Sequence, residues 1–281
     1  MQNMPKKYYA FFTLPTIIAF LIAFLIPFFL GIYLSFTRFT TVTNSQWIGV
    51  SNYIRAFSDD RDFLNAALFT AKFAVVSVIL INVFAFGLAL LLTRKIRGTN
   101  LFRTVFFMPN LIGGIVLGYI WQLLINGILI NFGIDITYSA NYGFWGLIIL
   151  MNWQMVGYMM IIYIAGIQSI PVELIEAAKI DGANSWQIVR NVTLPMVMSS
   201  ITICTFLTVT NSFKLFDQNL ALTAGAPGRA SSMLALDIFN TFYGRNGYEG
   251  VGQAKAVMFF ILVAVIVLLQ LYFSRTREIE S

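Results

Sequence analysis

Residues 170–196 read Ile170-PVELIEAAKIDGANSWQIVRNVTLP-Met196 and decide how the rest of the chain is placed. They carry Glu173, Glu176, Lys179, Asp181 and Arg190, whereas the stretch before them, Phe144 to Gln168, has no formal charge. The segment predicts two short helices separated by a glycine. Pro171 suits a first helical turn, where a missing N–H is no loss. Gly182 can end that helix in the left-handed conformation that other residues resist. Asn184 followed by Gln187 has the spacing of a cap and its reciprocal partner, and Pro195 marks the next boundary. A polar helix-turn-helix between two apolar runs is a surface that another protein can grip.

Working outward, the 281 residues are 58% hydrophobic and 11% charged, with a mean hydropathy of +0.78. A water-soluble domain carries about 25% charged residues, so this composition reads as a membrane protein. A spanning helix needs roughly 20 predominantly apolar residues. Six stretches qualify, at about 9–36, 64–92, 104–125, 144–168, 196–216 and 254–273. The expected fold is therefore all-α: a polytopic membrane protein with six transmembrane helices, forming one transmembrane domain over 1–281. Residues 169–195 form its charged connecting loop. The first apolar run is too long for a signal peptide and no small-residue cleavage site follows it. Pro15 and Pro27 predict kinks within it.

Charge gives the orientation. Six spans put both termini on one side, together with Lys6, Lys7, Arg94, Lys95, Arg97, Arg103, Lys179, Arg190, Arg275 and Arg277 against five acids, Glu173, Glu176, Asp181, Glu278 and Glu280. The opposite loops balance seven basic residues with seven acidic ones, and Lys72 lies inside a span. Positive residues favour the cytoplasm, so both termini and the 169–195 loop are expected there. The net charge of +6 thus describes topology and gives no support for nucleic-acid binding. Cys204 is the single cysteine and the chain has no histidine, which leaves no disulfide framework, no metal site and no common general base. No phosphate-binding GxxxxGK[ST] loop occurs, so the chain is not expected to hydrolyse a nucleotide, to act as an enzyme or to need a cofactor.

The loops are uneven. Residues 37–63 are polar and aromatic, with Trp47, Asn52, Tyr53 and Phe57, and suit either an interfacial segment at headgroup level or a more specific outer surface. Residues 217–253 hold Gly225, Gly228, Gly244, Gly247, Gly250 and Gly252. Such a load favours turns or re-entrant backbone, which membranes tolerate only when it is buried in protein or lines water.

From Glu176 the pattern runs Glu-Ala-Ala, three residues, Gly182, nine residues, Val192, one residue, Leu194-Pro195. It resembles the EAA loop of the membrane subunits of ATP-binding-cassette importers. The longer stretch AGIQSIPVELIEAAKIDGANSWQIVRNVTLP at 165–195 is similar to the carbohydrate-importing branch, which includes maltodextrin, raffinose-like oligosaccharide and glycerol-3-phosphate systems. WIGVSNY at 47–53, FRTVFFMP at 102–109 and FDQNLALTAGAPGRASS at 216–232 extend the likeness nearly end to end. Gly225-Ala226-Pro227 stands where relatives often have Gly-Gly-Pro, a mild departure.

That resemblance implies a type I importer permease of the bacterial plasma membrane. It also implies a second homologous permease, two copies of a partner ATPase, and an external solute-binding protein. Glu176, Ala177, Ala178, Asp181, Gly182, Leu194 and Pro195 would form the coupling element. The small alanines let the helix seat closely, and the acids accept charge-assisted hydrogen bonds from the ATPase.

For the solute, polar residues inside spans are the candidates, since burying them in lipid is costly. Asn152, Trp153, Gln154 and Tyr158 lie in the fourth predicted span, and Thr208, Asn211, Ser212 and Lys214 in the fifth. Thr208, Asn211, Ser212 and Leu215 share a helix face. Amides and hydroxyls beside aromatic rings suit a sugar, with Asn152, Tyr158, Thr208, Asn211 and Lys214 as the binding candidates. The competing use is hydrogen bonding between spans. The resemblance also allows a permease whose partner alone contacts the sugar. Lys72, Arg229 and Arg245 favour an anionic polyol such as glycerol-3-phosphate as the alternative solute. An ion-coupled secondary transporter would need an acid or histidine within the spans, and the predicted spans contain none.

Overall fold

The computed structural model describes residues 6–58, 61–94 and 97–275. Asp59, Asp60, Lys95, Arg277, Glu278 and Glu280 of the charge count lie outside the described residues. The chain groups into two compact units, one of Met1–Phe63 with Ile238–Ile261, the other of Leu64–Asp237 with Leu262–Ser281. Among the described residues, five helices are long and apolar enough to cross a membrane, or six if one bent pair is a single span.

In the first unit, α1 (Lys6–Phe20) passes through a π-helical turn at Leu21–Leu25 into α2 (Ile26–Ser35). Pro27 lacks an N–H, so one rung of the ladder is missing where the turn widens. Pro15, by contrast, sits inside continuous α1. This first span is almost entirely unburied, as an apolar helix facing lipid would be. A two-stranded antiparallel hairpin follows, β1 (Thr37–Thr41) and β2 (Asn44–Trp47), pairing Thr37 with Trp47. It is followed by α3 (Ser51–Ser58). The buried Asn52 amide donates to the carbonyls of Ser35 at 2.9 Å and Thr37 at 2.8 Å. Gly250 lies so close to Asn52 and the Thr37 carbonyl that any side chain there would collide with both.

The second unit is built on α4 (Asp62–Leu92), α5 (Thr99–Phe107), α6 (Gly114–Leu129) and α7 (Ala140–Gln168). Helix α7 is its axis, with most of its hydrophobic window buried. Phe73, Ile81, Leu117, Leu147, Leu150, Met151, Met159, Tyr163 and Leu222 meet in one core. The predicted span at 104–125 differs here. Helix α5 stops at Phe107, a 3-10 turn carries Pro109, and α6 starts afresh at Gly114. Pro109 and the Gly113-Gly114 pair interrupt what is, in hydropathy alone, one run. The long apolar helical stretch is Gly114–Phe132.

Beyond it, Asp135 accepts from the Thr137 amide and hydroxyl, at 2.7 and 2.6 Å. The Thr137 hydroxyl, then its backbone N–H, holds that exposed carboxyl below its usual value. Residues after α7 form α8 (Val172–Ile180), α9 (Ser185–Ile188), α10 (Leu194–Met196) and α11 (Met198–Phe213).

The glycine-rich segment after α11 is more ordered than a chain of turns. It contains α12 (Asp217–Leu222) and α13 (Leu234–Gly244), before the last long helix α14 (Glu249–Arg275). Gly114 and Gly118, four apart on α6, allow α12 to approach closely. A Cβ on Gly118 would stand 2.6 Å from that of Ala221, the close packing that small-xxx-small pairs permit in membranes. The return loop is held by fully buried Asn219. Its amide donates to Thr223 Oγ1 and the Ser231 carbonyl, and its Oδ1 accepts from the Met233 N–H, all at 2.9–3.0 Å. Buried backbone is thereby satisfied, which is the condition for irregular chain at membrane depth.

Candidate coupling and translocation sites

Helix α8 owes its ends to local sequence. Pro171 is extended, at φ −55° and ψ 130°, and precedes the first helical residue, one position earlier than predicted. Glu173 lies in the first turn and Lys179 in the last, each complementing the helix dipole. Gly182 has φ +79°. The Ala183 N–H bonds the Ala178 carbonyl and the Gly182 N–H bonds the Lys179 carbonyl, both at 3.0 Å, completing a Schellman termination. Two residues on, Asn184 Oδ1 accepts the Gln187 N–H at 2.9 Å and Gln187 Oε1 accepts the Asn184 N–H at 2.7 Å. The predicted capping box is present.

Helix α9 then widens into a π turn over Val189–Thr193, ahead of Pro195. Between Ser185–Met196 and α11 the path bends by 70°. The joints on either side of Gly182 are thus fixed by the segment's own hydrogen bonds.

The segment's outer side is bare. Glu176, Ala177, Asp181, Gly182 and Leu194 are exposed, and Ala178 and Pro195 half-buried. Ile180 is 85% exposed and Trp186 69%. Glu173, Glu176, Ala177 and Ile180 share one helix face by three- and four-residue spacing. Two carboxylates, one small residue and one large apolar group on a rigid face form a mixed surface suited to a protein partner.

The solute candidates separate into different surroundings. Thr208 is fully buried and donates to the Cys204 carbonyl of its own helix at 2.7 Å. Asn152 likewise donates to the Ile148 carbonyl at 2.8 Å. It lines an apolar groove of about 740 Å³ with Phe84, Leu88, Phe106, Pro109 and Trp153, and its buried Oδ1 has no partner among the described residues. Tyr158 is half-buried, its ring centre 6.3 Å from that of Phe107. Lys72 is exposed, with Nζ 4.8 Å from the Phe144 ring centre. Among the described residues Lys214 and Asp217 make no ion pair with each other.

Asn211 and Lys214 do come together. They line a polar cavity of about 200 Å³ with Asn110, Gln154, Gln218, Met151, Met155 and Leu215. Gln218 Nε2 donates to Gln154 Oε1 at 2.9 Å, and Gln154 Nε2 to the Ile112 carbonyl at 3.3 Å. Asn110 and Gln218 are additions that sequence reasoning missed, because Asn110 sits on a 3-10 turn and Gln218 on the short helix α12, both outside the fourth and fifth predicted spans that supplied the candidates. The Gly114/Gly118 pair that seats α12 was the available signal. Four amides supply neutral donors and acceptors, the chemistry that hydroxyl groups need, and among the described lining residues only Lys214 is charged.

A family model described as "Binding-protein-dependent transport system inner membrane component" matches residues 88–278. A "probable starch degradation products transport system permease protein" of Thermoanaerobacterium thermosulfurigenes is 47% identical, covering 97% of this chain and 96% of that protein. A "trehalose/maltose transport system permease protein" of Thermococcus litoralis is 29% identical over 85% of this chain and 83% of its own length. In fold, the chain is similar to a bacterial ABC transporter involved in the import of the acidic polysaccharide alginate. The TM-score is 0.81 at 22% identity, covering 96% of this chain and 95% of that one. The chain therefore belongs to the family of inner membrane components of binding-protein-dependent transport systems, the permeases of ABC importers.

Proposed function

We propose that this chain is the permease subunit through which an oligosaccharide enters the cell by alternating access. The observation that carries the reading is the capped, exposed α8–α9 segment joined to α11 by a 70° bend. The junction between α8 and α9, closed by the Schellman bonds on one side and the capping box on the other, transmits a push instead of fraying. The exposed face of Glu173, Glu176, Ala177 and Ile180 docks in the cleft of a partner ATPase. ATP is hydrolysed there, and closure of the ATPases moves α8 and, through α10, α11.

The functional unit has a second homologous permease, two ATPase copies and a solute-binding protein on the outer side. Both termini and α8 lie in the cytoplasm, as the basic loops require. Relatives named for starch products and for trehalose and maltose support an oligosaccharide cargo. Asn110, Gln154, Asn211 and Gln218 meet its hydroxyls. Lys214 favours a second reading, a polyol bearing an acidic group.

Replacing Ala177 with tryptophan tests the docking. The exposed site lets the variant fold and reach the membrane, but the indole holds the two surfaces apart. Loss of ATPase co-purification and of ATP-driven uptake is expected. Undiminished ATPase binding and uptake would reject α8 as the docking element.

A further inference from the structure

We infer that α3, the short helix after the hairpin, lies in the plane of the membrane boundary and rests its apolar face on lipid. Ser51–Ser58 is two-sided. Asn52 and Ala56 are buried on one side. On the other, Val50, Ile54 and Phe57 recur at four- and three-residue spacing and stand 59%, 62% and 55% exposed. A bare stripe of large apolar side chains on a water-facing helix would be costly, whereas an interfacial helix requires one.

Depth is what selects lipid as the occupant. Two hydrogen bonds tie α3 to Ser35, the last residue of α2: Asn52 Nδ2 to its carbonyl at 2.9 Å, and the Tyr53 hydroxyl with its Oγ at 2.6 Å. The span that ends there runs 25 residues, Phe11–Ser35. At about 1.5 Å per residue it outruns a hydrocarbon core of about 30 Å, so its end stands at headgroup level and α3 with it. Trp47 joins the same surface. It is 62% exposed, and its ring centre lies 5.4 Å from that of Phe36 and 5.9 Å from that of Tyr33, which continues the lipid-facing side of α2. Aromatic rings are enriched at this level of the bilayer. The charged residue of α3 turns away from the stripe, since Arg55 sits 4.4 Å from the Tyr248 ring centre.

The test uses the full chain, assembled with its transport partners in liposomes, with Cys204→Ser removing the native thiol. Ile54→Cys and, at the exposed hairpin tip, Asn44→Cys each carry an environment-sensitive fluorophore. At position 54 the emission should shift to the blue, spin-labelled lipids should quench it, and aqueous iodide should quench it several-fold less than at position 44. Iodide quenching at 54 as strong as at 44 would overturn the inference, even if the solute-binding protein then shields the site. So would a label shielded from iodide yet unquenched by lipid, which would mark a contact with another subunit. The readout is depth, so it stands independently of any loss of transport.

Discussion

Gly182 offers the most graded perturbation of the proposed coupling segment. Its φ of +79° is one that L residues avoid, while a Cβ built on it would meet nothing within 4 Å. A substitution there changes only the backbone preference and brings no collision with it. An ordinary L residue in this region costs about 1–2 kcal/mol, asparagine less because it tolerates the left-handed conformation, and a β-branched residue more. A change of one or two kcal/mol alters a conformational ratio by roughly 5–30-fold. The Schellman termination, and with it the fixed angle between α8 and α9, should be lost in the order Gly, Asn, Ala, Val. ATP-driven uptake in proteoliposomes should fall in that order. Permease abundance in the membrane should stay level, since exposed Gly182 supports no packing. Wild-type uptake by Gly182→Val would rule out a conformational role for this glycine. Asn and Val variants equally inactive would do the same, because that would implicate the mere presence of a side chain.

Other consequences follow from the packing. Asn219→Ala leaves the Met233 N–H and the Ser231 carbonyl buried without their partner. At about 1–3 kcal/mol for each orphaned group, a clear drop in the melting temperature of the purified complex is expected. Gly118→Ala forces a methyl onto Ala221 and should destabilise by about 1–3 kcal/mol. Gly127→Ala, on the same helix with nothing within 4 Å, should instead be neutral or stabilising by about 0.5–1 kcal/mol. Thermal unfolding of the pair in detergent separates packing from helix propensity. Lys214→Gln should leave uptake of a neutral oligosaccharide within a few-fold of wild type, and a collapse of that uptake would contradict a merely permissive role for Lys214 in the cavity.

What could be read from sequence depended on how local the cause was. The helix predicted over 144–168, observed as Ala140–Gln168, is visible because a charge-free apolar run of that length has few other homes. The caps at Gly182 and Asn184 are equally visible, because each acts within a few residues of itself. The long apolar helix in the region predicted at 104–125 runs over Gly114–Phe132, because hydropathy averages over the Pro109 and Gly113 break, although both residues stand in the run. The solute row was harder still. Whether Thr208 faces a cavity or its own Cys204 carbonyl depends on neighbours far away in the chain. Gln218 joins Gln154 only because α12 folds back against α6, a long-range event that no periodicity encodes.

In the proposed mechanism, energy enters through α8 from a partner that hydrolyses ATP. Uptake of labelled maltodextrin into proteoliposomes holding the assembled permeases and ATPases, with solute-binding protein outside, tests this requirement. Uptake should need ATP on the ATPase side and cease when the ATPases are omitted. Accumulation driven by an ion gradient without ATP or ATPases would contradict it.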